Sequence, residues 1–330
     1  MTSPCINWAI AGLGKIANRF ASDLTTDVPN ARLYAVAARS EDRAIAFKNQ
    51  YSAQVAYGSY QELAQDNNVD VVYVATIHPF HRDLVELFVR HGKHVLVEKP
   101  AFTNLNDWDE MTELAISHNV LLLEAMKAVT FPGYQALKKY IAQHSISLKS
   151  VEASFGNWHK YDANQPIFNG SLSGGATLDV GVYALWLYAD LCQLMNVEIP
   201  DPTVHFENDN EASNVDENVH FSFDGPLQGD IGASITRNLP KVATLKGEGF
   251  TAILNEKWWS SSRIELIHNG KEIVIEKPWQ GGGFQYEARL ATKLLSNGFK
   301  QSKTLNGDTS RKVISIMEKA LRDGGYAHLI

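Results

Sequence analysis

The stretch Ile6-Asn-Trp-Ala-Ile-Ala11 runs directly into Gly12-Leu13-Gly14-Lys15-Ile16-Ala17, after which Ile16, Phe20 and Leu24 recur at helical spacing. A strand-sized apolar run, a G-x-G-x-x-A turn and a helix with one apolar stripe thus succeed one another without a gap. In such a turn the first glycine allows the bend and the second lets backbone approach a pyrophosphate. The small residue at Ala17 lets helix pack on strand, and the free N–H groups of the helix start face the phosphates. The alternative for an isolated motif of this kind is a purely structural glycine turn. The pattern of the next hundred residues decides between the two.

Working outward, Leu33–Ala38, Val55–Gly58, Asp70–Ala75, His94–Glu98 and Val120–Ala125 read as further strands. They alternate with helical stretches over Glu41–Gln50, around Leu84–His91 (closed by Gly92) and over Asp107–His118. Asp70–Ala75 is continuously apolar, as in a strand buried on both faces. This is the pattern of an α/β doubly wound parallel sheet, which favours the dinucleotide reading. After a helix from Pro132 the grammar changes. Val151–Phe155, Val219–Phe223, Ile231–Thr236, Val242–Lys246, Thr251–Leu254, Ile264–Ile267 and Glu272–Ile275 are short runs separated by turn residues. Asp224-Gly225-Pro226 and His268-Asn269-Gly270-Lys271 are hairpin signals, so an antiparallel sheet is expected. Helices are expected over Gly175–Cys192, Phe284–Ser296 and Ser310–Arg322. No repeat or linker marks the junction, and we divide the chain into residues 1–128, a dinucleotide-binding Rossmann domain, and 129–330, an α+β domain.

Composition narrows the function classes. The 330 residues are 45% hydrophobic and 20% charged, which is globular rather than disordered. The net charge of −7 comes without a block of like charge, so neither nucleic acid nor a membrane is an expected partner. Met1–Trp8 lacks the basic and apolar regions of a signal peptide, and no apolar run has the length of a membrane span. Two cysteines, Cys5 and Cys192, lie far apart and suggest a reducing cytoplasm.

Four segments carry chemistry. Ala38-Arg39-Ser40 ends the second strand, where an acidic residue would bind the ribose 2′-hydroxyl of NAD. An arginine and a hydroxyl suit the 2′-phosphate of NADP, so NADP(H) is favoured and NAD(H) remains possible through Glu41 or Asp42. Glu98-Lys99-Pro100 ends the fifth strand, where a lysine can bond ribose hydroxyls beside the reacting carbon or simply be a surface charge. Thr76-Ile-His78-Pro-Phe-His81 reads as a loop contacting the cofactor; its two histidines lack the further ligands a metal needs, and no metal is expected. In Gly174-Gly-Ala-Thr-Leu-Asp179-Val-Gly-Val-Tyr183, Asp179 and Tyr183 share a helix face if the helix starts near Gly175. Tyrosine can donate a proton to a forming alkoxide. The other reading is an amphipathic helix packing its tyrosine, with the glycines relieving crowding. Trp158 either lines a substrate cleft or is an ordinary strand-end aromatic, and Trp258-Trp259 suits a sheet surface or interface better than a binding site. No G-x-S-x-G elbow supports a hydrolase.

Taken in order, G-x-G-x-I-A, Ala35-Val-Ala-Ala-Arg39, Tyr57-Gly-Ser-Tyr60, Glu98-Lys-Pro100, Glu124-Ala125 and G-G-A-x-L-D-x-G-x-Y resemble the glucose–fructose oxidoreductase/inositol dehydrogenase (Gfo/Idh/MocA) family, and within it the dihydrodiol dehydrogenase-like branch. The resemblance implies an open-faced, mostly antiparallel second sheet whose exposed side commonly makes a homodimer. It also implies that residues 129–330 bind substrate and oligomerise, with Lys99 as the catalytic-site lysine and Tyr183 as general acid/base; our own reading adds Asp179 as the residue that fixes the hydroxyl being oxidised. Three segments depart from that branch: Lys127-Ala-Val-Thr-Phe131 stands where W-T-R-F is usual, His78 replaces an asparagine, and Asn164–Asn169 replaces an arginine-containing stretch. Lys127 is therefore a candidate to face substrate. The expected activity is hydride transfer between a nicotinamide and a secondary alcohol or carbonyl of a sugar, cyclitol, other polyol or vicinal diol. The alternative is a non-catalytic dinucleotide-sensing regulator of the same fold.

Overall fold

The computed structural model describes residues 5–330, so the first half of the Met1–Trp8 reading lies outside the described residues. The chain forms two compact units. The first comprises Met1–Phe102, Asn106–Lys127 and Gln280–Gly307; the second comprises Thr103–Leu105, Ala128–Trp279 and Asp308–Ile330. A single crossing at residue 128 does not anticipate the return of Gln280–Gly307 to the first unit.

The first unit is built on β1 (Ile6–Ala11), β2 (Ala31–Ala37), β3 (Val55–Tyr57), β4 (Val71–Val74), β5 (His94–Glu98) and β6 (Leu122–Ala125). These pair in the order β3-β2-β1-β4-β5-β6, with all the pairings parallel. The chain winds outward from β1 to β3, then restarts at β4 on the other side of β1. That reversal leaves a crevice beyond the carboxyl ends of β1 and β4, the place where such sheets take ligands. Helices α1 (Lys15–Asp27), α2 (Glu41–Tyr51), α3 (Tyr60–Gln65), α4 (His81–Arg90) and α5 (Leu105–Ser117) connect the strands. The short α3, capped by Ser59, is not anticipated by the sequence pattern because six residues give too little periodicity.

The second unit begins with α6 (Pro132–Gln143) and β7 (Leu148–Gly156), followed by α7 (Val182–Met195) and β8 (Thr203–Glu207). It continues through β9 (Asn218–Phe223), β10 (Gln228–Ser234), β11 (Ala243–Gly247), β12 (Phe250–Leu254), β13 (Arg263–His268) and β14 (Lys271–Glu276). The order is β14-β13-β12-β11-β7-β10-β9-β8. All neighbours are antiparallel except β7 and β10, which run parallel from Ser150↔Gln228 to Gly156↔Ser234. A purely antiparallel sheet is too simple a reading, while "mostly antiparallel" describes it correctly. The edge strand β8 escapes the sequence pattern, since its solvent-facing Thr203, His205 and Glu207 dilute its apolar signal. Asn269 and Gly270 both have positive φ, the requirement of the tight turn that joins β13 to β14.

One face of this sheet is covered and the other open, as strands such as β13 show by alternating exposed and buried residues. Helix α7 packs on the covered face and is buried almost all round. Its Asp190, fully buried, is held by Lys138 Nζ at 2.7 Å and by the Tyr134 hydroxyl at 2.7 Å. The remaining helices, α8 (Phe284–Ser296) and α9 (Gly307–Asp323), come after the last strand. α8 belongs to the first unit, where Asp23 accepts from the N–H groups of Gly282 and Phe284 and so caps it.

Candidate active site

The first unit presents an edge shaped for a dinucleotide. Gly12 has φ +91°, and a Cβ there would sit 2.7 Å from Thr76 Cγ2 and 3.1 Å from the Ala75 backbone. Only glycine fits, for conformation and for space. A Cβ at Gly14 would meet nothing within 4 Å, so the backbone is open on the side a pyrophosphate would approach. Helix α1 starts there with no side-chain cap and no acid in its first turn, leaving its N–H groups for an anion. Lys15 and Ile16 are exposed beside that start, while Ala17 is fully buried against the sheet. The hydroxyl oxygen of Thr76, at the same edge, is buried and has no hydrogen-bond partner. An open glycine cradle, uncapped amides and an orphaned hydroxyl fit a dinucleotide phosphate group.

At the end of β2, Arg39 is exposed and its guanidinium lies 5.8 Å from the centre of the Phe80 ring. No carboxylate among the described residues forms an ion pair with it. Ser40 caps α2 through the N–H of Arg43. Arg43 itself, which no sequence motif marks, donates to the carbonyl of Leu13 in the glycine turn at 3.1 Å. Burial pushes the Tyr60 phenol up, and Arg39 and Arg43 pull the other way, so both arginines crowd this end of the sheet. Arg43 is hidden in the sequence by its place in a charged helix start, where a solvated arginine is the default.

The loop after β4 is tied to the turn after β5 by His81, which is fully buried. Its Nε2 lies 3.0 Å from the Thr76 carbonyl, and its Nδ1 lies 3.1 Å from the carbonyls of both Pro100 and Ala101. Burial holds its pKa below the ordinary histidine value. The geometry makes His81 a strut between two loops; His78, half-buried, lies with its ring edge-on at 5.9 Å. Among the described residues, no group of three or more His, Cys, Asp or Glu side chains is placed to hold a metal ion.

The turn Glu98-Lys99-Pro100, with a cis bond before Pro100, closes β5. The Glu98 carboxylate accepts from the Tyr73 hydroxyl and from the Lys99 N–H. Burial raises the Glu98 carboxyl above its ordinary value, against Tyr73, Lys99 and Lys127. Lys127 donates to the Gly282 carbonyl at 3.4 Å and lies 4.1 Å from the centre of the Phe284 ring. Burial pulls its pKa down. Beside it Glu287, wholly buried with neither carboxyl oxygen hydrogen-bonded, is pushed well up by burial and then by Glu98. The sequence offers no signal for Glu287, which α8 brings back across the whole length of the chain.

The second unit contributes a different kind of site. Residues Thr177–Gly181 form a π turn that leads straight into α7; such turns recur at functional sites. From Ala176 to Cys192 every residue is buried except Asp179 and Tyr183. Gly174 and Gly175 do more than relieve crowding, since a Cβ at Gly174 would lie 2.5 Å from the Pro166 carbonyl and Gly175 has φ +108°. The Tyr183 ring packs 5.5 Å from Phe155, which stacks on Trp259 at 3.8 Å and 5°. Trp258 is buried, with its indole N–H on the Ser154 carbonyl at 2.7 Å. Trp259 thus belongs to the surroundings of Tyr183, through a contact between β7 and the turn after β12 that no local pattern encodes. Trp158 is 62% exposed at the end of β7.

The comparisons with known proteins agree with this architecture. Residues 6–126 match the sequence profile of the Gfo/Idh/MocA oxidoreductase family, NAD-binding Rossmann fold. The chain is 32% identical to a trans-1,2-dihydrobenzene-1,2-diol dehydrogenase of Xenopus tropicalis, over 97% of this chain and 98% of the relative. It is 30% identical to the Homo sapiens protein of the same name, over 95% of each. Among solved structures, an aldose-aldose oxidoreductase from Caulobacter crescentus superposes with a TM-score of 0.84 at 19% identity, covering 97% of this chain and 98% of that one. A levoglucosan dehydrogenase gives 0.83 at 15% identity, covering 97% of each. With a near-full-length match to these relatives and the Rossmann edge of its first unit, the chain belongs to the Gfo/Idh/MocA family of oxidoreductases.

Proposed function

We propose that this chain is an NADP(H)-preferring dehydrogenase acting on a secondary alcohol, or the matching carbonyl, in a vicinal diol, sugar or other polyol. The observation that carries the reading is the pair Asp179 and Tyr183, the two places where an otherwise buried helical run reaches solvent. A carboxylate can orient a substrate hydroxyl, a phenol can exchange its proton, and the Phe155–Trp259 stack beside Tyr183 offers a flat face to ring C–H groups.

The nicotinamide, when bound, supplies the hydride acceptor or donor. In the oxidation direction the Tyr183 phenolate takes the hydroxyl proton and in reduction the phenol returns it, while Asp179 holds the hydroxyl in place. Lys99 bonds the cofactor ribose and adds a fixed positive charge. Gly12, Gly14, Lys15, Ile16 and Ala17 make the pyrophosphate cradle, and Thr76 and His78 line it. Arg39, Ser40 and Arg43 take the 2′-phosphate. His81 and Glu98 act from behind, by holding the loops. Lys127, engaged with Gly282 and Phe284, supports Glu98 rather than meeting substrate; Trp158 remains a candidate wall.

The NADP preference rests on the Arg39 guanidinium, free of any carboxylate, beside Arg43. The fold does not decide it, because the structural relatives include a 3-ketoreductase solved with NADP and a levoglucosan dehydrogenase solved with NADH. The open face of the second sheet is assigned to a homodimer, which light scattering after gel filtration tests. Cys5 and Cys192 are free thiols, in keeping with a cytoplasmic setting. The function is tested by following nicotinamide absorbance with NADP and with NAD against trans-dihydrodiols, aldoses and inositols. Turnover with at least one class, faster with NADP, is expected; cofactor binding without turnover of any class would favour the sensing regulator.

A further inference from the structure

The turn that bears Asp179 and Tyr183 is fastened by a residue outside the motif. Asp216, just before β9, is wholly buried. One of its carboxylate oxygens accepts from the Thr177 N–H at 2.7 Å and from the Thr177 hydroxyl at 2.6 Å. Its main-chain carbonyl accepts from the Ala176 N–H at 2.7 Å. The other carboxylate oxygen is buried without a hydrogen-bond partner and faces Gly175, where a Cβ would lie only 2.1 Å from it. The missing side chain at Gly175 is what admits the carboxylate.

The turn itself has no side-chain cap at its start, so Asp216 supplies one from a distant part of the chain. An ionised acceptor at the positive end of a helix is favourable, and bonds to an ionised acceptor are the stronger kind. Burial opposes the charge and pushes the Asp216 carboxyl up to about 7, with the Thr177 bonds resisting. The other titratable groups of the elements that meet there are Asp179, two residues beyond Thr177, Glu217, next in the chain, Tyr326, which feels the Asp216 charge, and His328, which bonds two residues upstream. Glu217 is occupied by the N–H groups of Asp209 and Asn210, His328 by the carbonyl of Asn214, and the Tyr326 phenol is raised by burial and, secondarily, by Asp216.

We propose that Asp216 is a positioning residue for the proton-transfer pair: ionised, it clamps Thr177 and fixes the turn that presents Asp179 and Tyr183; neutral, it lets that turn loosen. The proposal rests on the proton-transfer and orienting roles proposed for Tyr183 and Asp179.

It predicts two opposed trends. The folded carboxyl titrates near 7, whereas an unfolded aspartate titrates at about 4, so the native state holds the proton more tightly between them. Its contribution to stability is therefore present in acid and lost as pH rises through the folded value. The clamp behaves the other way, tightening over the same range. In the cofactor-saturated wild type, kcat rises several-fold through neutral pH while the Asp216 contribution to Tm falls away.

The test compares wild type, Asp216→Asn and Thr177→Val across that range. The readouts are kcat on a substrate found in the panel, Tm, and amide exchange over residues 174–190. Asp216→Asn flattens both trends, and its turn exchanges roughly tenfold faster than wild type above neutral pH but not below it. Thr177→Val loses part of the kcat rise and keeps the fall in Tm. An Asp216→Asn protein that retains the kcat rise, or whose turn exchanges as the wild type does at every pH, overturns the proposal. If Asp216→Asn does not fold, a Thr177→Val protein with wild-type exchange above neutral pH overturns it equally. Exchange and Tm need no substrate, so failure of the panel counts against the proposed function and leaves the clamp to be decided on its own.

Discussion

The two regions of this protein for which function is proposed are made of different material. The cofactor edge of the first unit is built from main chain: a left-handed Gly12, an open Gly14 and the uncapped start of α1. The Tyr183 region of the second unit is built from side chains, with Asp216 under the turn and Phe155 and Trp259 beside the phenol. Main-chain sites need particular residues at fixed local offsets, so they leave a motif. Side-chain sites need residues brought together from far apart, and they leave little. The difference also predicts how each region fails when it is altered.

The largest effect is expected of Lys99→Met, because Lys99 is given a part in both binding and chemistry. Steady-state kinetics should show kcat reduced by about 10³-fold, within the range for removing a group at the reacting centre. Fluorescence titration should show cofactor bound about tenfold more weakly. Unchanged cofactor affinity would move Lys99 out of the binding role.

Gly12→Ala attacks the main-chain region alone. The added methyl must displace Thr76 and Ala75 at a φ of +91°. Cofactor affinity should fall about 100-fold, roughly 2.7 kcal/mol, while kcat at saturating cofactor changes little. A variant that binds cofactor normally would show that the cradle tolerates a side chain.

The same contrast accounts for what is legible in the sequence. The first sheet can be read strand by strand, since its buried strands are continuous apolar runs and its turn carries its own glycines. In the second sheet most strands can be read, but not the parallel pairing of β7 with β10, which depends on a crossover the local pattern does not encode. Gly174, Gly175, Asp179 and Tyr183 stand out as a motif. Asp216 and Trp259 do not, because each acquires its role only through a long-range contact. Glu287 is equally hidden, arriving from α8 beneath Glu98.

The units should also differ in acid. His94, at the start of β5, has its pKa pushed down to about 4 by burial and then by Lys300, and its Nδ1 accepts from the Leu121 N–H at 2.9 Å. A histidine held below its unfolded value contributes stability above that value and loses it as pH falls toward the folded one. Wild type should therefore lose of order 2 kcal/mol between about pH 6.5 and 4 from this group. His94→Gln should remove much of that slope in urea unfolding followed against pH, and an unaltered slope would contradict the assignment. The trend is opposite in sign to the one Asp216 gives the second unit.

The smallest expected effect concerns the proposed choice of NADP over NAD. Arg39→Ala should weaken NADP binding by about tenfold, near 1.4 kcal/mol, and leave NAD binding nearly unchanged. Equal losses for both cofactors would mean that Arg39 meets the adenosine without reading its phosphate.

Whether Tyr183 carries the proton in a nicotinamide-dependent oxidation or reduction is decided by Tyr183→Phe. The variant and wild type should be compared in single-turnover hydride transfer, with cofactor affinity measured on the same preparations. Transfer in the variant should slow by at least about 10³-fold while cofactor affinity stays within about twofold. A variant that transfers hydride at the wild-type rate, or that loses cofactor binding to the same extent as turnover, would contradict it.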